Sequence, residues 1–597
     1  MTEYNEITPS VEQKQFITWA KEGKNILVDA CIGSGKTTAI QKLCQSLPSS
    51  KKILYLTYNK LLKLDAKSKI TNRNVTVQNY HGFAYIALSR SNIYSGISDL
   101  IQTVNREKPY IMPYDIMIID EYQDIEQEIA EFLTYIKAQN PDMQLIAVGD
   151  MEQKIYDKTT LDVKAFIDTF LDEYTQMEFT QCFRLSEDIA SELGRIWGKE
   201  IKGVNPDCKV EVMSMRNVMP YLSEQNPKDI MCLGARTGGM STALNLLEDV
   251  YPDKFNKYTV YASIADANRG ATSPDSNSAI FTTFDSSKGM ERDICVVFDY
   301  DEAYWHVRSR KPQQKYEILR NIFLVAASRG KKRIIFVAGD KPLLTEKTLS
   351  TPTQTAPKFE DTTIDGLFAF KYKEDIEDAY KLLEISRMKS TIDNYEPIPI
   401  PTTDGLIDLS PCISWYQQAS YFTNYDLDQE LDMLYMQKYN HELPDYQRRL
   451  PLEDKILLAT SIVTNQLRYR TQVSTPFIKE SDKQLLFDRL STTFDRNILV
   501  QKQTDINFMK NGRLKFTAVG FADIVQDDTV YMLHYMKAVT HETYLECACY
   551  MYGLGLDSGV VWNIYDNTQY EIHIPDKEKF MNAVAKAATK GALRRFK

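Results

Sequence analysis

Residues 25–38 read Asn-Ile-Leu-Val-Asp-Ala-Cys-Ile-Gly-Ser-Gly-Lys-Thr-Thr, and the fold is read outward from them. Ile26–Val28 is an apolar run of strand length, a glycine-bearing turn follows, and a helical pattern begins at Lys36. Such a turn between strand and helix lets backbone N–H groups approach a phosphate closely, and the helix N-terminus adds partial positive charge. Lys36 is then placed to reach the β- and γ-phosphates of a nucleotide and Thr37 to hold Mg²⁺. Ala30, Cys31, Ile32, Gly33, Ser34, Gly35 and Thr38 complete the expected cradle, with Ala30 where the pattern usually has its first glycine.

The partner of such a loop is an acidic pair at the end of a buried strand, and Ile116–Asp124 (IMIIDEYQD) supplies one. Asp120 is expected to bind the metal through water and Glu121 to polarise the attacking water. An acidic pair alone is common, but downstream of a phosphate loop it points to hydrolysis of ATP or GTP.

Further out, short apolar runs such as Ile53–Leu56, Leu145–Val148, Ile294–Phe298 and Ile334–Val337 alternate with helical segments as far as about Gly339. That alternation predicts an α/β fold with parallel sheets. The expected division is a first α/β domain over 1–175, a second over 176–344, a linker over 345–411 and a C-terminal accessory domain over 412–597. The linker rests on Thr345–Thr363, rich in Thr and Pro, and on the four prolines of Asn394–Pro411. The aromatics between Ser414 and Tyr439, Trp415, Tyr416, Tyr421, Phe422, Tyr425, Tyr435 and Tyr439, could stack bases, but core packing is the better reading. The cations near the end, Lys586, Lys590, Arg594, Arg595 and Lys597, read as a solvated helix face.

The chain has 597 residues and a net charge of −10. No stretch approaches the ~20 apolar residues of a membrane span. The polar N-terminus, Met1 to Val11, has no apolar signal core, which leaves a cytosolic location as the expectation. Nine cysteines without a CxxC pair predict buried reduced thiols, with neither a disulfide framework nor structural zinc. The acidic balance runs against a nucleic-acid partner, yet a global charge does not describe a local groove.

From about Pro9 to Val337 the motifs, in order, resemble the UvrD/Rep/PcrA group of superfamily 1 DNA helicases. The resemblance implies two RecA-like motor domains, ATP and Mg²⁺ as cofactors, and single-stranded DNA as partner, with RNA as the other strand chemistry. By the same resemblance Gln13 reads adenine, Phe183 stacks on it and Glu291 binds the ribose. Gln153 senses the γ-phosphate, while Arg184 and Arg329, both assigned to the second block, act as arginine fingers that reach ATP when the domains close. Strand contacts are expected from Thr57, Tyr58, Asn59, His81, Phe83, Tyr156, Arg236, Thr283, Ser286 and Lys288.

Three departures stand out. Asp285 replaces the family's usual His. The coupling motif, Gly149–Tyr156, continues as Asp157-Lys158-Thr159-Thr160 instead of Phe-Arg-Gly-Ala. The gaps from Phe83 to Asp120 and from Thr237 to Thr283 are short where relatives insert accessory domains, so translocation is better supported than duplex separation.

Asp523, the strand-like Val530–Met536, Lys537 and the helix Thr543–Leu554 resemble the core of a PD-(D/E)XK nuclease of the kind fused to RecB and AddA helicases. Tyr535 stands at the second acidic position, which implies an inactive nuclease-like α+β domain kept for binding nucleic acid or a protein partner. The alternatives are an active site using Glu542 or Glu546, and an unrelated domain. The overall expectation is an ATP-dependent 3′→5′ single-strand DNA translocase or helicase. The rival is a nucleic-acid-binding ATPase switch in a repair, defence or phage complex, without processive unwinding.

Overall fold

The computed structural model describes residues 9–58, 60–96, 99–263, 274–300, 316–338, 359–389, 396–398 and 403–596. Its first sheet contains β1 (Ile26–Ala30), β2 (Ile53–Thr57), β3 (Val75–Asn79), β4 (Ile116–Asp120), β5 (Gln144–Gly149) and β6 (Thr175–Phe179). They run parallel in the order β3-β2-β4-β5-β1-β6. β2 and β4 are buried at every residue, whereas edge strand β3 is mostly half-buried. Helices on both faces of a parallel sheet explain the unbroken apolar runs of the central strands. The neighbouring order β5-β1-β6 brings the ends of three strands to the phosphate loop that follows β1.

The second sheet is also parallel, in the order Val260–Ser263, Ala279–Thr283, Ile230–Gly234, Arg292–Val297, Gly330–Ala338 and Lys209–Ser214. Two RecA-like parallel-sheet domains therefore lead the chain, and a further α+β region follows. The expected boundary at 175/176 falls at the start of β6, which pairs with β1 from Ile26↔Thr175 to Ala30↔Phe179. The first sheet thus extends to Phe179.

The third sheet corrects the expected linker. Thr362–Thr363 pairs in parallel with Ala518 and Val519, and Glu384–Arg387 pairs antiparallel with Tyr570–His573. Residues 359–389 belong to the C-terminal unit, with Ile364, Leu367, Phe368 and Ile376 in its core. Thr and Pro composition marks the chain around 345–358, outside the described residues, but the apolar residues that follow decide this segment's place. Arg513–Gln526, Thr529–His534, Ser558–Asn563 and Thr568–His573 carry the centre of this sheet. Helix His541–Leu554 packs on one face, and helices between Ser410 and Ser491 cover the other through Ile524, Leu533, Val560 and Trp562. Tyr416, Tyr421, Phe422 and Tyr435 are in that second core, while Tyr439 is exposed. All nine cysteines are free and buried.

Among the described residues, 84–119 and 238–282 hold short helices and strands of the two α/β domains and no inserted domain. No helix there is long and apolar enough to cross a membrane.

Candidate nucleotide site at the domain junction

Gly33 and Gly35 carry the phosphate loop's left-handed backbone, with φ of 68° and 75°. A Cβ on Gly33 would lie 2.9 Å from Arg184 Cβ, and one on Gly35 would lie 2.9 Å from Gln13 Nε2. Both positions therefore need glycine for conformation and for space. Helix Lys36–Ser46 starts at Gly35 with no side-chain cap, which leaves its first amides directed at the loop. Ala30, Cys31, Ile32 and Ser34 are buried beneath, whereas Thr37 and Thr38 are half-buried. Burial pushes the Cys31 thiol up, so it serves as packing.

Lys36 Nζ sits 3.2 Å from Glu121 Oε1. Burial pushes the Glu121 carboxyl up, but Lys36 and then Lys288 outweigh it and hold it at about 2. Burial, together with the Glu121 charge, raises Asp120 to about 6. Tyr55 donates to Asp120 Oδ2 at 2.6 Å, while the buried Oδ1 has no hydrogen-bond partner. An orphaned carboxylate oxygen beside the phosphate loop fits a divalent cation, which Asp120 and Thr37 would hold. Asp29, Asp150 and Glu152 also converge, but Lys199 Nζ lies 2.6, 3.0 and 2.9 Å from them and occupies the position between them.

Gln13 caps its own helix with Ser10 and donates to Ser34 O at 3.0 Å, so it braces the loop as well as lying beside it. Phe183 donates its N–H to Gly33 O at 3.0 Å, and its exposed ring lies near Gly35, a platform open to a base. Gln153 is buried and donates to Asp150 Oδ2 at 2.7 Å.

Arg184 corrects its expected placement. It leaves the first sheet just after β6, packs against Gly33, and crosses the junction to Ser328 O at 3.0 Å and to Glu291. Arg329 belongs to the second domain and donates to Val325 O at 2.7 Å and Met290 O at 3.2 Å. Burial lowers its guanidinium to about 9, Arg184 adds to that, and the charges of Glu291 and Glu121 oppose it. Arg184, Lys331 and Arg329 hold Glu291 at about 2 against its burial.

The expected strand contacts divide. Thr57 is fully buried at the end of β2, and Phe83 packs in the core against Tyr114 and Phe132, because an apolar ring one turn into a sheet-covering helix faces inward. Lys288 is no free cation: its ammonium pairs with buried Asp124 and also reaches Gln153 O. Tyr58 stacks on Tyr156 with ring centroids 6.2 Å apart and donates to Glu126. His81 and Ser286 are half-buried, Thr283 is buried and donates to Ser286, and Arg236 is exposed. Asn59 lies outside the described residues.

Two contributors escaped the sequence. Lys199 lies far from its three carboxylates in the chain and in no motif. Gln123, fully buried inside the acidic box, donates to Glu121 and accepts from Asp150 N at 3.0 Å, linking the end of β4 to the end of β5. Its place directly after Glu121-Tyr122 was the available signal.

The class defined by this geometry is a P-loop nucleotide-binding domain joined at its site to a second RecA-like domain. Residues 13–159 match the AAA domain family. Among solved structures, Dbp5 of S. cerevisiae bound to Gle1 and IP6 is similar at 12% identity over 56% of this chain and 83% of that one, TM-score 0.35. The Pif1 helicase of Candida albicans is similar at 14% identity over 58% and 98%, TM-score 0.30. The Arterivirus nonstructural protein 10 helicase with DNA is similar at 11% identity over 57% and 65%, TM-score 0.30. No curated protein matches the chain.

Proposed function

We propose that the protein is an ATP-driven motor that moves 3′→5′ along single-stranded DNA. The observation that carries this is the position of the phosphate loop: Lys36 and Glu121 on one domain face Arg184 and Arg329 at the junction with the other. A hydrolytic transition state spreads charge over phosphoryl oxygens and needs cations beyond the metal. Mg²⁺, held by Asp120 and Thr37, would supply charge neutralisation at the phosphates. Lys36, now paired with Glu121, exchanges that partner for phosphate, which frees Glu121 to orient water. Phe183 and Gln13 flank the base, and Gln153 links the γ-phosphate position to the strand-facing side. Because the arginine contacts span the junction, opening and closing of the domains accompanies turnover.

Strand binding in this proposal falls to Tyr58, Asn59, His81, Tyr156, Arg236, Thr283 and Ser286. The C-terminal unit is proposed as a nuclease-like fold without cleavage. The test is ATPase activity with and without single-stranded DNA, followed by strand displacement. Stimulation with displacement supports the helicase form. Stimulation without displacement supports the switch, which the short inter-motif segments favour. No stimulation by any oligonucleotide rejects the motor.

A further inference from the structure

The coupling segment, residues 150–160, is gripped from two sides. Toward the second domain, Asn321 donates to Met151 O at 3.2 Å and Lys154 O at 3.0 Å, and Tyr156 donates to Asp285 O at 3.3 Å. Toward the C-terminal unit, Lys590 Nζ donates to both Asp157 O and Asp157 Oδ2 at 2.8 Å, with both side chains buried and the ammonium 4.6 Å from the Tyr372 ring. Glu374 accepts from Thr159 Oγ1 and from Thr160 N, and Lys373 N donates to Lys158 O at 2.8 Å. The tetrad Asp157-Lys158-Thr159-Thr160, where the sequence departs from the helicase pattern, is thus the docking site of the C-terminal unit.

That unit holds the first domain elsewhere too. Lys373 pairs with Glu126 at 2.6 Å and Glu128 at 3.3 Å, and His541 pairs with Asp99 at 2.8 Å. It also holds the second domain. Arg468 pairs with Glu248 at 3.1 Å and donates to Val260 O at 2.9 Å, Lys257 pairs with Asp404 at 2.9 Å, and Leu467 N donates to Asn245 at 3.0 Å. A body bonded to both domains restrains any motion of one against the other. Such a restraint slows a cycle that requires that motion.

We infer that Lys590 and Glu374 are positioning residues that act through the coupling segment, fixing Gln153 and the domain junction and holding basal ATP turnover low. This rests on the ATPase reading above. Strand binding near Tyr58 and His81, which adjoin Glu126 and Lys373, would loosen the grip, so strand stimulation and C-terminal docking are opposed.

The test uses the full chain, with kcat and KM for ATP measured with and without oligothymidylate. Lys590→Ala is expected to raise basal kcat about 5-fold or more, the low end of ordinary coupling between sites, with KM unchanged and a smaller stimulation by the oligonucleotide. Glu374→Gln should act in the same direction, and covers the case in which Lys590→Ala fails to fold. The swapped pair Asp157→Lys with Lys590→Asp should bring basal kcat back toward the unaltered chain. A purely structural role would lower turnover or leave it alone. Unchanged or reduced basal kcat in folded Lys590→Ala or Glu374→Gln overturns the inference. Absence of ATP turnover in the unaltered chain overturns the ATPase reading itself, and this inference with it.

Discussion

Lys288 and Asp124 form an ion pair across the junction, with side chains 6% and 0% exposed. Asp124 Oδ1 has no hydrogen-bond partner, and burial outweighs the lysine, so the carboxyl sits above its ordinary range. Substituting Lys288→Met removes the largest influence that lowers it. A buried pair broken on one side costs about 3–5 kcal/mol, because an uncompensated charge remains. The sign with pH follows from the raised folded value. A carboxyl with folded pKa above its unfolded value of about 3.9 carries no penalty while protonated in both states, and loses stability as pH rises through the folded value. The Lys288→Met loss should therefore be larger near about pH 8 than near about pH 5. Adding Asp124→Leu removes the stranded charge, and the double variant should lie close to the unaltered protein or be about 1–4 kcal/mol more stable. Urea unfolding followed by tryptophan emission at both pH values measures this, with Trp197 stacked on Phe323 beside the junction. A loss independent of pH, or a double variant no more stable than Lys288→Met, would refute the reasoning.

Lys36→Ala should abolish ATP hydrolysis with the fold intact, since Glu121 keeps Gln123 and the Lys288 charge as partners; turnover near that of the unaltered protein in a folded variant rejects the phosphate-loop assignment. Arg329→Ala should lower kcat far more than nucleotide affinity, because its charge matters mainly in the transition state; titration of nucleotide binding beside single-turnover rates separates the two. DNA affinity should fall steeply with salt through counterion release, and a flat salt titration speaks against a phosphate-tracking groove. The C-terminal unit should cut neither single- nor double-stranded DNA in Mg²⁺ or Mn²⁺. Asp523, pushed up to about 7 by burial, is already bonded to Leu533 N and Gln418 at 2.7 Å, and Tyr535 offers a phenol where a carboxylate is needed; metal-dependent cleavage lost in Asp523→Ala would show otherwise.

The nucleotide site was legible because its chemistry is local. A loop that must bend at Gly33 and Gly35, a lysine at the start of a helix and two acids at the end of a buried strand each leave a contiguous trace. The sheets were legible for a similar reason, since Ile116–Ile119 and Leu145–Val148 are buried on both faces and read as unbroken apolar runs. Strand-facing roles were less legible. A motif names a residue, but whether Phe83 meets a base or Phe132 depends on which face of its helix meets the sheet. The C-terminal unit was least legible, because its edge strands at Thr362–Thr363 and Glu384–Arg387 pair with residues far along the chain, and their own composition reads as connector.

The acidic balance of the chain is not offset by the cations at its domain junctions. Lys199, Lys288, Lys373, Arg468 and Lys590 are each tied to carboxylates of another element. Their charges hold the three units together and add nothing to an outer field that would draw in a strand. Lys36 and Arg184 are likewise paired, with Glu121 and Glu291. On the proposed function, a phosphate arriving at the loop competes with those carboxylates, which ties nucleotide binding to rearrangement of the junction. Each one-to-one pair sums to zero, so −10 falls on the remaining groups, and the proposed strand binding depends on local cations such as the exposed Arg236. The same pairing gives salt a second route of action. Ionic strength screens the pair between half-exposed Lys373 and buried Glu126 less than it screens the exposed Arg236, so added salt should weaken strand binding before it loosens the C-terminal unit. Stimulation by DNA should then vanish at a salt concentration where basal turnover is still low. If basal turnover instead rises as stimulation is lost, the contacts of the C-terminal unit are the weaker ones, and the order of release is reversed.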